Sequence, residues 1–371
     1  MKPTLTLALL ACSACGNKDT SKDRPPPANP PPSAGSAAQS APPAQSAPPA
    51  AQPPAAGGRI TPIALPGAGS DGVSLDYLTF DARTNTVWVP AGGTGSVDVV
   101  DTATRKVTQV DGFPTKQVER NGKTRKVGPS SAAVGEDFVY IGDRADSSIC
   151  AIGEQTLKKD KCATLNSSPD SVLYSTTTHQ LWVTTPEDNS VRILDPATLA
   201  QVARIELPGA PEGFAIDSQN ARYYTNLEDK DQTEVIDINS HKVVATWKPD
   251  CGEAGPRGLR VDSDAGLLFV ACTTKVEALS THNGGAIVGS VDAGDGVDDL
   301  DYSAKAHELY IGAGKAGKLL VATVDGNGKL AIRDTIATQT GARNGVVDAS
   351  GVVYLAHGPG SELLAVDTRA K

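Results

Sequence analysis

The sequence predicts an all-β fold: a seven-bladed β-propeller whose last blade is closed by the N-terminal strand, preceded by a disordered tether. Three observations predict it. A strand–turn–strand frame recurs seven times, the last copy lacks a fourth strand, and a lone strand opens the folded region.

Taken in chain order, residues 1–11 read as a signal peptide: Lys2, an apolar run from Leu5 to Ala11, then small residues. That run is too short to span a bilayer as a helix, and nothing later approaches the ~20 apolar residues a span needs. Leu9-Leu10-Ala11-Cys12 resembles a bacterial lipobox, which implies cleavage before Cys12 and a diacylglyceryl group on its thiol. Each buried acyl CH₂ contributes roughly 0.8 kcal/mol, so two or three chains anchor a protein durably. The expected location is the bacterial cell envelope, on the periplasmic side of the outer membrane or at the cell surface. An ordinary signal peptide with a chance cysteine is the competing reading. Cys15 is the weaker lipidation candidate, because Cys12 would then stand where the motif wants a branched apolar residue.

Residues 12–58 form the tether, dominated by Pro, Ala and Ser with almost no branched or aromatic side chains. Such a segment cannot bury enough apolar surface to offset its ordering entropy. Its prolines favour extended polyproline II, a spacer of up to ~3.1 Å per residue.

Residues 59–371 carry the repeat. Each copy has an apolar strand, a polar turn, a second strand with a central aromatic, a loop, a third strand ending near Asp, and a fourth strand. The aromatics are Trp88, Tyr140, Trp182, Tyr223, Phe269, Tyr310 and Tyr354. All intervals but the first fall at or slightly beyond the ~40–45-residue spacing of a four-stranded blade. The first is widened by an insertion, "FPTKQVERNGKTRKVG". Helical periodicity is nearly absent, and the strands alternate apolar with polar or small residues. The last copy stops at "LLAVDTRAK" after its third strand, while the region opens with "RITPIALPG", similar to the fourth strand "ARIELPG" of the third copy. If that opening strand completes the last blade, the ring closes with no edge left over.

The strand pairs "VWVPAGGTGSVDVVDTATRKV" and "LWVTTPEDNSVRILDPATLAQV" resemble YVTN-repeat β-propellers, and the resemblance covers the whole region after the tether. The motif's Asn survives only as Asn226, with Ala91, Asp143, Thr185, Cys272, Ala313 and His357 at the matching positions. The resemblance implies a propeller architecture. Its members are mostly binding or uncharacterised proteins, with sugar-lactone hydrolases among structural relatives, and fold does not settle function.

Four of the six cysteines lie in the propeller. Antiparallel pairing around Thr156 sets Cys150 opposite Cys162. Cys251 and Cys272 fall on loops that share one propeller face. Two disulfides are expected, which suits an exported protein. Structural zinc is the competing reading, but the propeller has no paired C-x-x-C spacing.

Function is sought where the blades converge. The first strand of each blade lines the central channel, and the residue just before it stands at the mouth. Aligning the frames puts Asp76, Ser130, Asp170, Glu212, Arg257, Asp298 and Arg343 there. Converging carboxylates suit Ca²⁺, an oxygen-liganded cation, or shift one another's pKa. The arginines suit a carboxylate or an anionic sugar. A self-satisfied ring of ion pairs is the bland alternative. Asp295, Asp299 and Asp301 add acid to the loop leading into blade 6, without EF-hand spacing.

No G-x-S-x-G elbow, phosphate loop, haem motif or H-x-x-x-H spacing is present. The net charge of −9 argues against nucleic acid as a partner. The one basic element is the insertion, an Asn121-Gly122 hairpin with Lys116, Arg120, Lys123, Arg125 and Lys126, either a solvated face or a dock for an acidic partner. The expected function is a monomeric cell-envelope binding module for a protein, small molecule or glycan. The alternative is a lactonase-like hydrolase whose metal, held by Asp170, Glu212 and Asp298, activates water.

Overall fold

The computed structural model describes residues 58–70, 72–120 and 122–370. The signal peptide, Cys12, Cys15 and the tether through residue 57 lie outside them, as does Asn121. Seven four-stranded antiparallel sheets follow one another. From innermost to outermost strand, blade 1 is Thr79–Asp81, Thr86–Ala91, Ser96–Asp101 and Val107–Val110. Blade 2 is Pro129–Val134, Phe138–Asp143, Ser148–Gly153 and Lys159–Thr164; blade 3 is Val172–Ser175, Gln180–Thr185, Ser190–Leu194 and Gln201–Glu206. Blade 4 is Pro211–Asp217, Arg222–Leu227, Gln232–Asp237 and Lys242–Trp247; blade 5 is Pro256–Asp262, Leu267–Cys272, Lys275–Ser280 and Ala286–Asp292. Blade 6 is Val297–Ser303, Glu308–Ala313, Lys318–Val324 and Leu330–Ala337. Blade 7 takes Ala342–Val347, Val352–His357 and Glu362–Asp367 from the C-terminal end and Ile60–Ala64 from the N-terminal end.

That shared blade is the expected closure. Ile60 pairs with Val366 and Ala64 with Glu362, and the Asp367 N–H donates to the Arg59 carbonyl at 2.8 Å. Arg59 also reaches Asp334 on the outer strand of blade 6 at 2.6 Å. Ile63 and Leu65 are 5% and 4% exposed, so the strand is cemented by burial as well as by its ladder.

The core is divided among the interfaces between blades, and one large aromatic anchors each. Trp88 packs on Val139 and Ile141 of blade 2, Tyr140 on Leu181 and Val183 of blade 3, and Trp182 on Ile236 of blade 4. Tyr224 packs on Leu268 and Val270, Phe269 on Leu309 and Ile311, Tyr310 on Val353 and Leu355, and Tyr354 on Val87 and Val89. In blade 4 the anchor is therefore Tyr224, not Tyr223. Successive strand residues face opposite sides, so Tyr223 turns back onto Trp182, ring centroids 4.7 Å apart. The same one-residue offset makes Leu227, rather than Asn226, the counterpart of Ala91 and His357, since Arg222 pairs with Asp217 as Thr86 does with Asp81.

Burial alternates on innermost strands such as Pro211–Asp217 and Ala342–Val347, and over most of outer strands such as Lys159–Thr164 and Gln201–Glu206. Second and third strands are buried nearly throughout, because each is covered on both faces by neighbouring blades. The Asp that ends a third strand is turn chemistry. Asp101 Oδ1 accepts from the Thr104 N–H at 2.7 Å and its hydroxyl at 2.8 Å, and Asp195 and Asp237 do the same with Thr198 and Ser240. Those bonds lower the Asp101, Asp195 and Asp237 carboxyls below their ordinary value. His179, His241 and His307 occupy left-handed turn positions, a backbone role.

Both expected disulfides form. Cys150 stands directly opposite Cys162 in the third and fourth strands of blade 2. Cys251, in the connection leading into blade 5, joins Cys272, which ends the second strand of that blade rather than lying on a loop. The insertion is a two-stranded hairpin, Lys116–Arg120 paired with Lys123–Val127.

Candidate functional site

The innermost strands meet around the axis: blade 4 touches blade 5, then 5 with 6, 6 with 7, 7 with 1, 1 with 2 and 2 with 3. Asp76 and Asp170 stand before their strands as expected. Ser130, Glu212, Arg257, Asp298 and Arg343 instead lie inside theirs. In those five strands the pairing register shifts at this level, for example between Pro211 and Phe214 and between Val297 and Leu300. A bulge keeps the strand hydrogen-bonded while re-aiming one side chain, which brings these residues to the mouth.

Six of the seven fall into two polar clusters, Asp76, Asp170, Asp298 and Arg343 in one and Glu212 and Arg257 in the other. Arg144 donates to Asp76 Oδ2 at 2.7 Å and to Asp170 Oδ1. Asn344 Nδ2 bridges Asp76 Oδ1 at 3.2 Å and Asp298 Oδ2 at 3.0 Å, and Arg343 lies 3.1 Å from Asp298. Arg257 is 2.6 Å from Glu228 and 4.0 Å from Glu212. Ser130 does not join: its hydroxyl donates to the Gly142 carbonyl of its own blade at 3.4 Å.

Acid outnumbers base here, and the site is sheltered. Burial pushes Asp170 up to about 7, helped by the charges of Asp76 and Asp298 and opposed by Arg144. Burial raises Glu212 well above the ordinary glutamate range, with Asp170, Glu228, Asp76 and Asp298 adding to it, and it raises Asp76 against the pull of Arg144. Among the described residues, no three His, Cys, Asp or Glu side chains gather as a metal-binding group. Asp170, Glu212 and Asp298 each face a guanidinium instead: Arg144, Arg257 and Arg343 respectively.

Below the mouth, Tyr77 and Phe214 meet across the axis with ring centroids 5.4 Å apart. Deeper still, Arg260 binds Asp301 at 2.9 Å and Asp299 at 3.3 Å. Asp299 and Asp301 are thus channel residues on the innermost strand of blade 6. Only Asp295 is in the loop, 3.4 Å from Lys315.

Beside the mouth, over blades 1, 6 and 7, opens a cavity of about 1090 Å³. Arg343 belongs to both. The insertion hairpin forms one wall with Gln117, Thr124, Arg125 and Lys126, and Lys315 stands in the wall contributed by blade 6. Glycine permits this crowding: a Cβ on Gly128 at the hairpin base would lie 2.3 Å from the Gly92 carbonyl, and Gly72, at φ +79°, would put one 2.6 Å from the Gly358 carbonyl.

Arg144, Glu228 and Asn344 were not among the sequence candidates. Arg144 and Glu228 each follow directly on a second strand, at the position held by Gly92 in blade 1 and Gly358 in blade 7. The signal for both charges is therefore the residue that follows each second strand of the repeat.

No family model matches the chain, and no curated protein matches it in sequence. Solved structures match in fold. A virginiamycin B lyase from Staphylococcus aureus is 14% identical with a TM-score of 0.64, over 82% of this chain and 98% of its own. Kuenenia stuttgartiensis hydrazine synthase is 15% identical with a TM-score of 0.66, over 81% and 97%. A mitotic checkpoint complex chain is 15% identical with a TM-score of 0.64, over 83% and 93%. At such identities the likeness shows the propeller fold alone.

Proposed function

We propose that the chain is a lipid-anchored binding module of the bacterial cell envelope, tethered through Cys12, that takes a small-molecule, glycan or protein ligand at the mouth face. The observation that carries the binding reading is the cavity of about 1090 Å³ beside Arg343. It is walled by loops on a rigid ring, where ligand sites tend to lie, and matches the upper end of the ~300–1,000 Å³ range of small-ligand pockets. The neighbours in fold include both enzymes and a component of a protein complex, consistent with a scaffold whose loops decide the use. A metal-dependent lactonase would require Arg144, Arg257 and Arg343 to release the carboxylates they now hold.

Ser74 lines the cavity with an exposed side chain, so Ser74→Trp fills the space without touching the core. In a thermal-shift screen of neutral and acidic di- to tetrasaccharides, at least one compound is expected to raise the melting temperature of the full chain. A ligand at 100 times its Kd adds about 2.7 kcal/mol. Ser74→Trp is expected to abolish that shift while melting like the parent. A screen without response removes the glycan ligand, and a response that survives Ser74→Trp removes this cavity as the binding site. The anchor is checked separately by the mass of the mature N-terminus: a diacylated Cys12 is expected, and an unmodified start at Ser13 or beyond contradicts it.

A further inference from the structure

We infer that the mouth-face cavity selects a multiply carboxylated, hydroxyl-rich ligand, the chemistry of an acidic oligosaccharide, and that the inserted hairpin is its grip; this rests on the binding reading above. Four cationic side chains line the cavity: Arg125 and Lys126 from the hairpin, Lys315 from blade 6 and Arg343 from the mouth. Among its described lining residues there is no acidic and no aromatic side chain. That is a local reversal of sign in a chain of net charge −9.

The four differ in how far they are committed. Lys315 and Arg343 have partners, Asp295 at 3.4 Å and Asp298 at 3.1 Å, yet their side chains remain 71% and 46% exposed. Arg125 and Lys126 are exposed, and among the described residues their side chains make no hydrogen bond or ion pair. Cations set around a shared space keep their charge for a ligand that carries several anionic groups. A guanidinium matches a carboxylate through two parallel N–H donors. Gln117, Thr124, Ser74 and Thr340 add neutral donors and acceptors suited to hydroxyl groups. The absence of aromatic lining among the described residues gives no platform for stacking a planar base or an apolar ring.

The hairpin interrupts the repeat between blades 1 and 2, at the one interval wider than a blade. The ring closes through blade contacts that do not involve it, so binding accounts for the insertion where packing does not. Its base is held by the close backbone approach of Gly128 to Gly92. The hairpin is therefore a placed arm.

The test is calorimetric titration of the full chain with trigalacturonate, with an uncharged galactose trisaccharide and with a sulfated trisaccharide, at low and high salt. Trigalacturonate is expected to bind, weakening as salt screens the contacts. The uncharged trisaccharide is expected to bind at least tenfold more weakly. Arg125→Ala with Lys126→Ala should weaken trigalacturonate tenfold or more while the melting temperature stays put, and Lys315→Ala should weaken it by a smaller factor. Binding of the sulfated sugar as tightly as trigalacturonate would overturn the carboxylate assignment. The inference also falls if the uncharged sugar binds as well, if the double variant binds unchanged, or if none of the three binds at millimolar concentration. A neutral ligand lost in Ser74→Trp would leave the binding module standing and remove only the anionic class.

Discussion

Deleting residues 59–67 is expected to open the ring and cost about 3–6 kcal/mol, from the two branched side chains Ile63 and Leu65 at ~1.5–3 kcal/mol each. The loss should lower the melting temperature by on the order of 10 °C, since 1 kcal/mol moves a domain of about 150–250 residues by ~2–4 °C and a larger one by somewhat less. It also strips the strand Glu362–Asp367 of its outer partner, leaving an edge that carries the apolar Leu363, Leu364 and Val366. Such an edge pairs with other chains, so concentration-dependent aggregation should accompany the loss. Scanning calorimetry of the shortened and parent chains decides the matter, and identical melting would exclude the clasp as a source of stability.

Arg144→Met is the second large effect expected, near 3–5 kcal/mol at pH 8, because it leaves Asp76 and Asp170 sheltered without their shared cation. The cost should shrink as the pH falls. Asp170 already sits at about 7 in the folded chain against 3.8 for its ordinary value, so between those limits the folded state holds more protons than the unfolded one. Stability from this group is therefore present at low pH and lost as the pH rises through that window. Without Arg144, which pulls the value down, the folded carboxyl climbs further and the alkaline penalty grows. Urea denaturation at pH 5 and pH 8 reads the difference directly. An equal cost at both pH values, or a cost under about 1 kcal/mol, would mean the mouth is wet enough to screen its own charges.

The repeat made the ring legible because each copy had to supply the same four strands, and a missing strand at one end matched a spare one at the other. The disulfide Cys150–Cys162 was legible for a similar reason: a hairpin with a known turn fixes which residues oppose. Blade 4 was misframed by one residue, since Tyr223 and Tyr224 both fit an aromatic position and only pairing registers distinguish them. The mouth was legible as seven aligned positions but not as a network. Arg144 reaches Asp76 across 68 residues of chain, and Asn344 reaches it across 268, separations at which no local pattern carries information. Ser130 shows the converse failure, a residue at the right position whose hydroxyl is spent on its own blade.

The strand Ile60–Ala64 has a mechanical consequence. It lies at the rim of the last blade, and the chain N-terminal to it leaves from the end where Ile60 pairs with Val366. Tension on that segment would load the clasp before any other blade, first breaking the hold of Arg59 on Asp334 and Asp367 and then peeling one rung at a time from Ile60 toward Ala64. On the clasp strand the early positions Ile60, Thr61 and Pro62 are half-buried or exposed, although their partners Val366, Ala365 and Leu364 are buried, whereas Ile63 and Leu65 resist at the far end. The ring would thus yield first at its seam, with the covered side chains acting as a stop that spares the other six blades from small forces.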